Sequence, residues 1–345
     1  MRIRNVMSLL FGALFTALAL TYALWGVNFE ALFKAFSEID YLAVLPFLFL
    51  LIVFFWLKAT RWTVILQPIG CFTSRQVTPA MMIGFAGNNV LPARLGELLR
   101  TVVFARRFDK PYSGVFATVM LERLLDASAI LIFYVITILL LGTSPTAVRI
   151  GALVGLAFII VALAAIFLML WRFHLTLSLW RRISTRLPQR YRELGEKLLH
   201  NVTEALSTLR SPRLVTLLIA NSLCQWSIMT CNVWIAMWAF GATISISAAI
   251  FVLVVTALAA SVPSIPGYVG PIQAAFVFAL SPFGIAQETA LAGSVFFLVV
   301  QWVPVTAAGV LFFFLSGFGV AEVRREAQWV ERSPEPNENE QTSYR

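Results

Sequence analysis

Two stretches, Met7–Val27 and Ile150–Trp171, run without a single charged side chain. Each is longer than the roughly 18 residues that carry a helix across a bilayer. Reading the other apolar runs the same way adds Tyr41–Leu57, Ser113–Leu141, Leu214–Phe240 and Thr289–Phe318. The composition agrees, with 59% hydrophobic and only 12% charged residues, where a soluble domain carries about a quarter charged. The expected fold class is an all-α polytopic membrane protein with about six full transmembrane helices. The apolar run at the start continues past the small residues Ala17–Ala19 to Val27, which reads as an uncleaved anchor rather than a signal peptide.

The net charge of +9 does not point to nucleic acid, because the basic residues are sorted by side. With the N-terminus inside, every Lys and Arg except Lys34, Arg123 and Arg149 falls on the cytoplasmic side, Lys58 and Arg61 included as residues following span two. Glu30, Glu38, Asp40 and Glu288 mark the opposite side. This is the positive-inside asymmetry, and it places both termini in the cytoplasm of an inner (plasma) membrane protein. Residues 1–318 form the membrane domain, with a cytoplasmic connector over about 172–213 and a tail over 319–345 that reads as disordered from about 333. In the connector, Tyr191, Leu194, Leu198, Val202, Leu206 and Leu209 recur at three- and four-residue spacing, the apolar stripe of an amphipathic helix near the inner surface. The three cysteines, Cys71, Cys224 and Cys231, suggest no disulfide framework.

Two polar interruptions stand out from this background: "NNVLPARLGELLR" at Asn88–Arg100 and "SIPGYVGPIQ" at Ser264–Gln273. Non-helical backbone cannot face lipid, since each unpaired N–H or C=O there costs several kcal/mol. The first stretch lies between two spans that both end inside, and the second between two that both end outside. Each flanking apolar run is too short to cross and return. The expectation is therefore two oppositely oriented re-entrant hairpins, with Pro92, Gly96, Pro266, Gly267 and Gly270 setting the breaks. The shared spacing, Pro92 to Gly96 and Pro266 to Gly270, followed by Glu97 and Gln273, allows an inverted repeat whose two tips make one mid-membrane site.

Span three carries "LERLLD", which puts Glu122, Arg123 and Asp126 inside the apolar field. Glu122 and Asp126 share a helix face. Intramembrane charges usually mark a pathway or a paired site. Their natural partners are Arg94 and Arg100, with Glu97 able to pair with Arg123. Two readings stay open: a substrate site, or a network that pins the first hairpin to span three. Asn88, Asn89 and Gln273 join the candidate substrate contacts, whereas Asn221, Gln225, Asn232 and Gln301 read as interhelical hydrogen-bonding residues.

No phosphate-loop lysine and no G-x-S-x-G elbow occurs, and both histidines, His174 and His200, lie in the connector. No cofactor, metal or catalytic residue is assigned on this pattern, and an enzyme is the less favoured reading.

"LPARLGELLR", "LERLLD" and "SIPGYVGPIQAAF", in that order between apolar spans, resemble the flippase-like transmembrane domain of lysylphosphatidylglycerol synthases, in its stand-alone form. The resemblance covers the chain up to about Phe318 and implies movement of a lipid between leaflets. Too few residues follow the last span to supply the family's soluble synthase domain, so aminoacylation is not carried over. The implied cargo is a phospholipid or another anionic or isoprenoid-linked lipid. A lipid-biosynthetic enzyme or a second copy of the chain would be the protein partner, and no nucleic acid is expected. The alternatives are an integral-membrane lipid-modifying enzyme and a non-transporting accessory subunit of an envelope-lipid pathway.

Overall fold

The computed structural model of the chain describes residues 3–91, 95–141, 173–186, 189–261 and 266–316. The expected span at Ile150–Trp171 and the tail lie outside them. Among the described residues every regular element is helical. The chain is an all-α polytopic membrane protein.

Helix α1 (Ile3–Leu24) turns by 85° into the short α2 (Phe29–Ser37). Gly26 supplies the corner with a φ of 75°, and the Asn28 side chain caps α2 by accepting from the backbone N–H groups of Glu30 and Ala31. Helix α3 (Val44–Leu66) runs well past Leu57. This corrects the sequence reading, which ended the span where Lys58 and Arg61 begin. Both are buried inside the bundle, because carboxylates from another helix meet them there.

The first interruption is a helical hairpin of α4 (Ser74–Val90) and α5 (Gly96–Arg107). By rise per residue α5 is about 18 Å long, against a hydrocarbon core of about 30 Å. Its arms touch backbone to backbone. A Cβ at Gly96 would lie 2.0 Å from the Gly84 carbonyl oxygen, and one at Gly84 would lie 2.6 Å from Arg100 Cβ. Helix α6 (Tyr112–Leu141) follows. In the connector, α7 (Phe173–Ile183) and α8 (Gln189–Ala205) pair through Arg181 and Glu196, whose carboxylate accepts from the guanidinium at 2.7 Å. That hydrogen bond holds the Glu196 carboxyl below its usual range. The predicted stripe divides in two. Leu206 is buried, with Val202 and Leu209 half-buried beside it on the bundle, while Tyr191, Leu194 and Leu198 stay exposed.

Helix α9 (Pro212–Trp238) leads to the second hairpin, α10 (Ile246–Ser261) and α11 (Pro271–Leu280). At its tip Gly267, Tyr268 and Gly270 all have positive φ, and Pro271 starts α11 at a position where its missing N–H costs nothing. Helix α12 (Gln287–Leu315) closes the bundle. Its first residue, Gln287, donates to the carbonyls of Ala23 and Trp25 at the α1–α2 corner.

The two hairpins are rooted at opposite ends of α3. The α3 N-terminus meets the α9 C-terminus, where Asp40 N–H donates to Ala239 C=O, and the second hairpin follows directly from there. At the other end, Thr208 Oγ1 reaches Ile65 C=O, next to the start of α4. Each hairpin has its own core, one around Phe47, Phe276 and Phe297 and the other around Trp62, Met81 and Phe104. The tips meet: a Cβ on Gly267 would stand 3.9 Å from the Asn89 carbonyl oxygen. Helix α12 backs the first hairpin at contact distance, since a Cβ on Gly309 would lie 2.3 Å from Ala86 Cβ.

Candidate functional site

Three helices bring ionised side chains to one buried point. On α3, Lys58, Arg61 and Trp62 share a face by i, i+3 and i+4 spacing. Helix α5 contributes Glu97 and Arg100, and α6 contributes Glu122, Arg123 and Asp126. Glu122 is the hub. Its Oε2 accepts from Arg100 Nη2 at 2.8 Å, and its Oε1 accepts from Arg123 Nη2 at 2.9 Å, with Lys58 Nζ at 3.5 Å and Arg61 Nη2 at 3.6 Å. Asp126 is the second anchor, accepting from Arg61 Nη2 at 2.8 Å and from Lys58 Nζ at 3.1 Å. Arg61 also donates from Nη1 to Ser222 Oγ of α9 at 2.8 Å.

Aromatic rings complete the shell. The Arg100 guanidinium lies 3.6 Å over the Trp62 ring, whose Nε1 donates to Thr118 Oγ1. Phe85 of α4 presents its face to Lys58 at 5.6 Å and to Arg123 at 5.8 Å. Rings in these positions attract cations through their quadrupole and keep water away from the ion pairs.

The arrangement holds four cations, Lys58, Arg61, Arg100 and Arg123, against three carboxylates, Glu97, Glu122 and Asp126. An uncompensated charge in such surroundings would be very costly, so pairing explains how the cluster exists at all. Among the described residues the compensation is incomplete by one positive charge. The Nε atoms of Arg61, Arg100 and Arg123 are buried without a hydrogen-bond partner among the described residues. Accessibility is uneven too. The Arg123 side chain is 30% exposed and Glu97 17%, joined only loosely at 3.6 Å, whereas the Glu122 side chain is fully enclosed. Arg123 and Glu97 form the open edge of the cluster, and Arg100, Glu122, Lys58, Arg61 and Asp126 its closed base.

The structure brings together Glu97, Arg100, Glu122, Arg123 and Asp126 from the sequence-derived set. Arg94 and Pro92 lie outside the described residues. Asn89 Nδ2 donates to Thr306 Oγ1 of α12 at 2.9 Å, and Asn88 Oδ1 is buried beside Gly96 without a hydrogen-bond partner among the described residues. Gln273 caps its own helix, accepting from Gly270 N–H at 2.7 Å. The stretch from Ile246 to Leu280 contains no ionisable acid or base except Tyr268. The second hairpin therefore supplies backbone and shape at the tip, and among the described residues the charges of the cluster come from α3, α5 and α6. Lys58 and Arg61 are the residues that sequence reasoning missed. Their three-residue spacing ahead of Trp62 was the available signal, masked because charge is ordinarily what ends a span.

A family model described as the lysylphosphatidylglycerol synthase TM region matches residues 6–309. A UPF0104 membrane protein of Methanothermobacter thermautotrophicus is 24% identical over 283 residues, covering 76% of this chain and 82% of that one. A UPF0104 membrane protein of Pyrococcus horikoshii is 24% identical over 311 residues, covering 84% and 91%. The glycosyltransferase AglD of Haloferax volcanii is 29% identical over 126 residues, 36% of this chain but only 20% of that protein.

Proposed function

From a chain that belongs to the lysylphosphatidylglycerol synthase transmembrane-region family, we propose that it moves a phospholipid, or another anionic or isoprenoid-linked lipid, between the leaflets of its membrane. The observation that carries this reading is the buried cluster, with one more cation than carboxylate among the described residues and an open edge at Arg123 and Glu97 beside a broken-helix hairpin. Intramembrane charge of this kind is expensive and serves pathways and paired sites. A surplus positive charge favours an anionic group as the visitor.

In this mechanism a lipid phosphate approaches Arg123, which exchanges its loose contact with Glu97 for the phosphate. Glu122 keeps the guanidinium oriented during the exchange, and Arg100, Lys58 and Arg61 remain locked on their carboxylates as a fixed positive base. The acyl or isoprenoid chains stay in the bilayer throughout. The membrane is the inner membrane, with the basic end of the bundle and both termini in the cytoplasm, by the sorting of Lys and Arg.

The test is leaflet exchange of labelled lipids by the purified chain in proteoliposomes, comparing phosphatidylglycerol, aminoacylated phosphatidylglycerol, a polyprenyl phosphate and phosphatidylcholine. Exchange of an anionic lipid well above phosphatidylcholine supports the reading. Equal exchange of all four, or none above empty vesicles with and without a proton gradient, overturns it.

A further inference from the structure

Outside the charged cluster, α3, α4 and α12 line an open apolar groove of about 920 Å³. Its walls are Phe55 and Ala59 of α3, Met82 of α4, and Val305 and Ala308 of α12. At one end the lining turns polar, with Ser74 and Arg75 at the start of α4. From Arg75 to Met82 the groove follows α4 for about 10 Å at the helical rise, within the roughly 15 Å that one leaflet occupies in a hydrocarbon core of about 30 Å. Its volume sits at the upper end of the roughly 300–1,000 Å³ typical of ligand sites.

The polar end is strongly basic. Arg75 is exposed and makes no ion pair among the described residues. Arg106 and Arg107, in the last turn of α5, and Lys110 lie at the same end of the hairpin, and Lys110 Cε stands within 3.5 Å of the Cβ position of Gly70. An apolar groove reaching about 10 Å into one leaflet, with an exposed guanidinium that has no ion pair among the described residues at its end, matches an amphiphile with an anionic head and a long hydrocarbon tail.

We propose that this groove is a binding site for one chain of an anionic glycerophospholipid drawn from the leaflet at the basic end, with its phosphate on Arg75. The lipid's onward path rests on the translocation reading, but its binding does not. Phe55 lines the groove and packs edge-on against Phe85 at 5.2 Å, and Phe85 is the ring that faces Lys58 and Arg123. The Phe55–Phe85 pair thus links a wall of the groove to the charged cluster.

The test uses the full chain in nanodiscs containing trace phosphatidylglycerol or phosphatidylcholine, each bearing a photoreactive group on one acyl chain, with the labelled peptides mapped. Phosphatidylglycerol is expected to label the groove segments of α3 and α12 at least severalfold more than phosphatidylcholine. Arg75→Gln, at an exposed position, should bring the two lipids level. Ala308→Phe, checked for a monodisperse folded protein, should remove groove labelling by both. Labelling spread evenly over the lipid-facing helices, or equal labelling by the two lipids in the unmodified chain, overturns the proposal. Groove labelling in a protein that exchanges no lipid would contradict translocation and leave the groove standing. Exchange without groove labelling would sink the groove alone.

Discussion

Arg100 and Glu122 meet at 2.8 Å in an enclosed setting, with the guanidinium carbon of Arg100 3.6 Å from the centre of the Trp62 ring. One residue belongs to the short returning arm of the first hairpin and the other to a long helix. The pair is therefore the bolt that fixes a helix too short to span against one that does. Removing one partner of a buried pair strands the other, at a cost of about 3–5 kcal/mol. Glu122→Gln should destabilise the protein by that order in thermal unfolding in detergent. Because Glu122 also serves Arg123, Lys58 and Arg61, the double variant Glu122→Gln/Arg100→Gln should cost clearly less than the sum of the single changes. Strictly additive losses would show that the two residues do not act as a pair.

Gly96 is required for steric reasons at the crossing of α4 and α5, where a Cβ would overlap the Gly84 carbonyl. Gly96→Ala should separate the arms and lower the unfolding temperature, at a cost in or above the roughly 1–3 kcal/mol range of overpacked sites. Gly114→Ala is the control. Its added Cβ would meet ordinary contacts at 3.5 Å, and the change should be neutral or stabilise by up to about 1 kcal/mol. Equal behaviour of the two variants would remove the close crossing from the account.

Helix α12 supports the hairpin through Gly309, which faces Ala86 and Met82. Gly309→Ala should weaken this contact, and adding Ala86→Gly should restore part of the loss, because only one of the two clashes, with Ala86 Cβ, is relieved. The Met82 carbonyl oxygen, 2.4 Å from the same Cβ position, remains. Unfolding temperatures of the single and double variants check this, and no rescue would argue that the α4–α12 contact is not limiting.

The hairpins could be read in the sequence because proline and glycine break helices for local reasons, and local reasons survive without knowledge of neighbours. The same holds for Glu122 and Asp126, whose four-residue spacing fixes a shared face. Lys58 and Arg61 were not legible. A charge after an apolar run looks like the end of a span until the carboxylates that compensate it are known, and those come from α6, more than sixty residues away by the Lys58–Asp126 and Arg61–Asp126 separations. Gln273 shows the opposite difficulty. Its position after a glycine invited comparison with Glu97, yet it spends its carbonyl on the Gly270 N–H. The corner between α1 and α2 depends on Gln287 and Glu288, far along the chain, and no local pattern announces it.

The most direct measurement of the central claim is anionic-lipid exchange between leaflets by Arg123→Gln, set against the unmodified chain and Gly114→Ala in matched proteoliposomes. Arg123 is the exposed edge of the cluster, so its loss should leave the hairpin bolt intact while removing the group that receives the phosphate. The account predicts folded protein, unfolding close to the parent, and exchange reduced at least tenfold, with Gly114→Ala unaffected. Exchange at the parental rate in folded Arg123→Gln would contradict it, and would assign the buried charges to holding the hairpin alone.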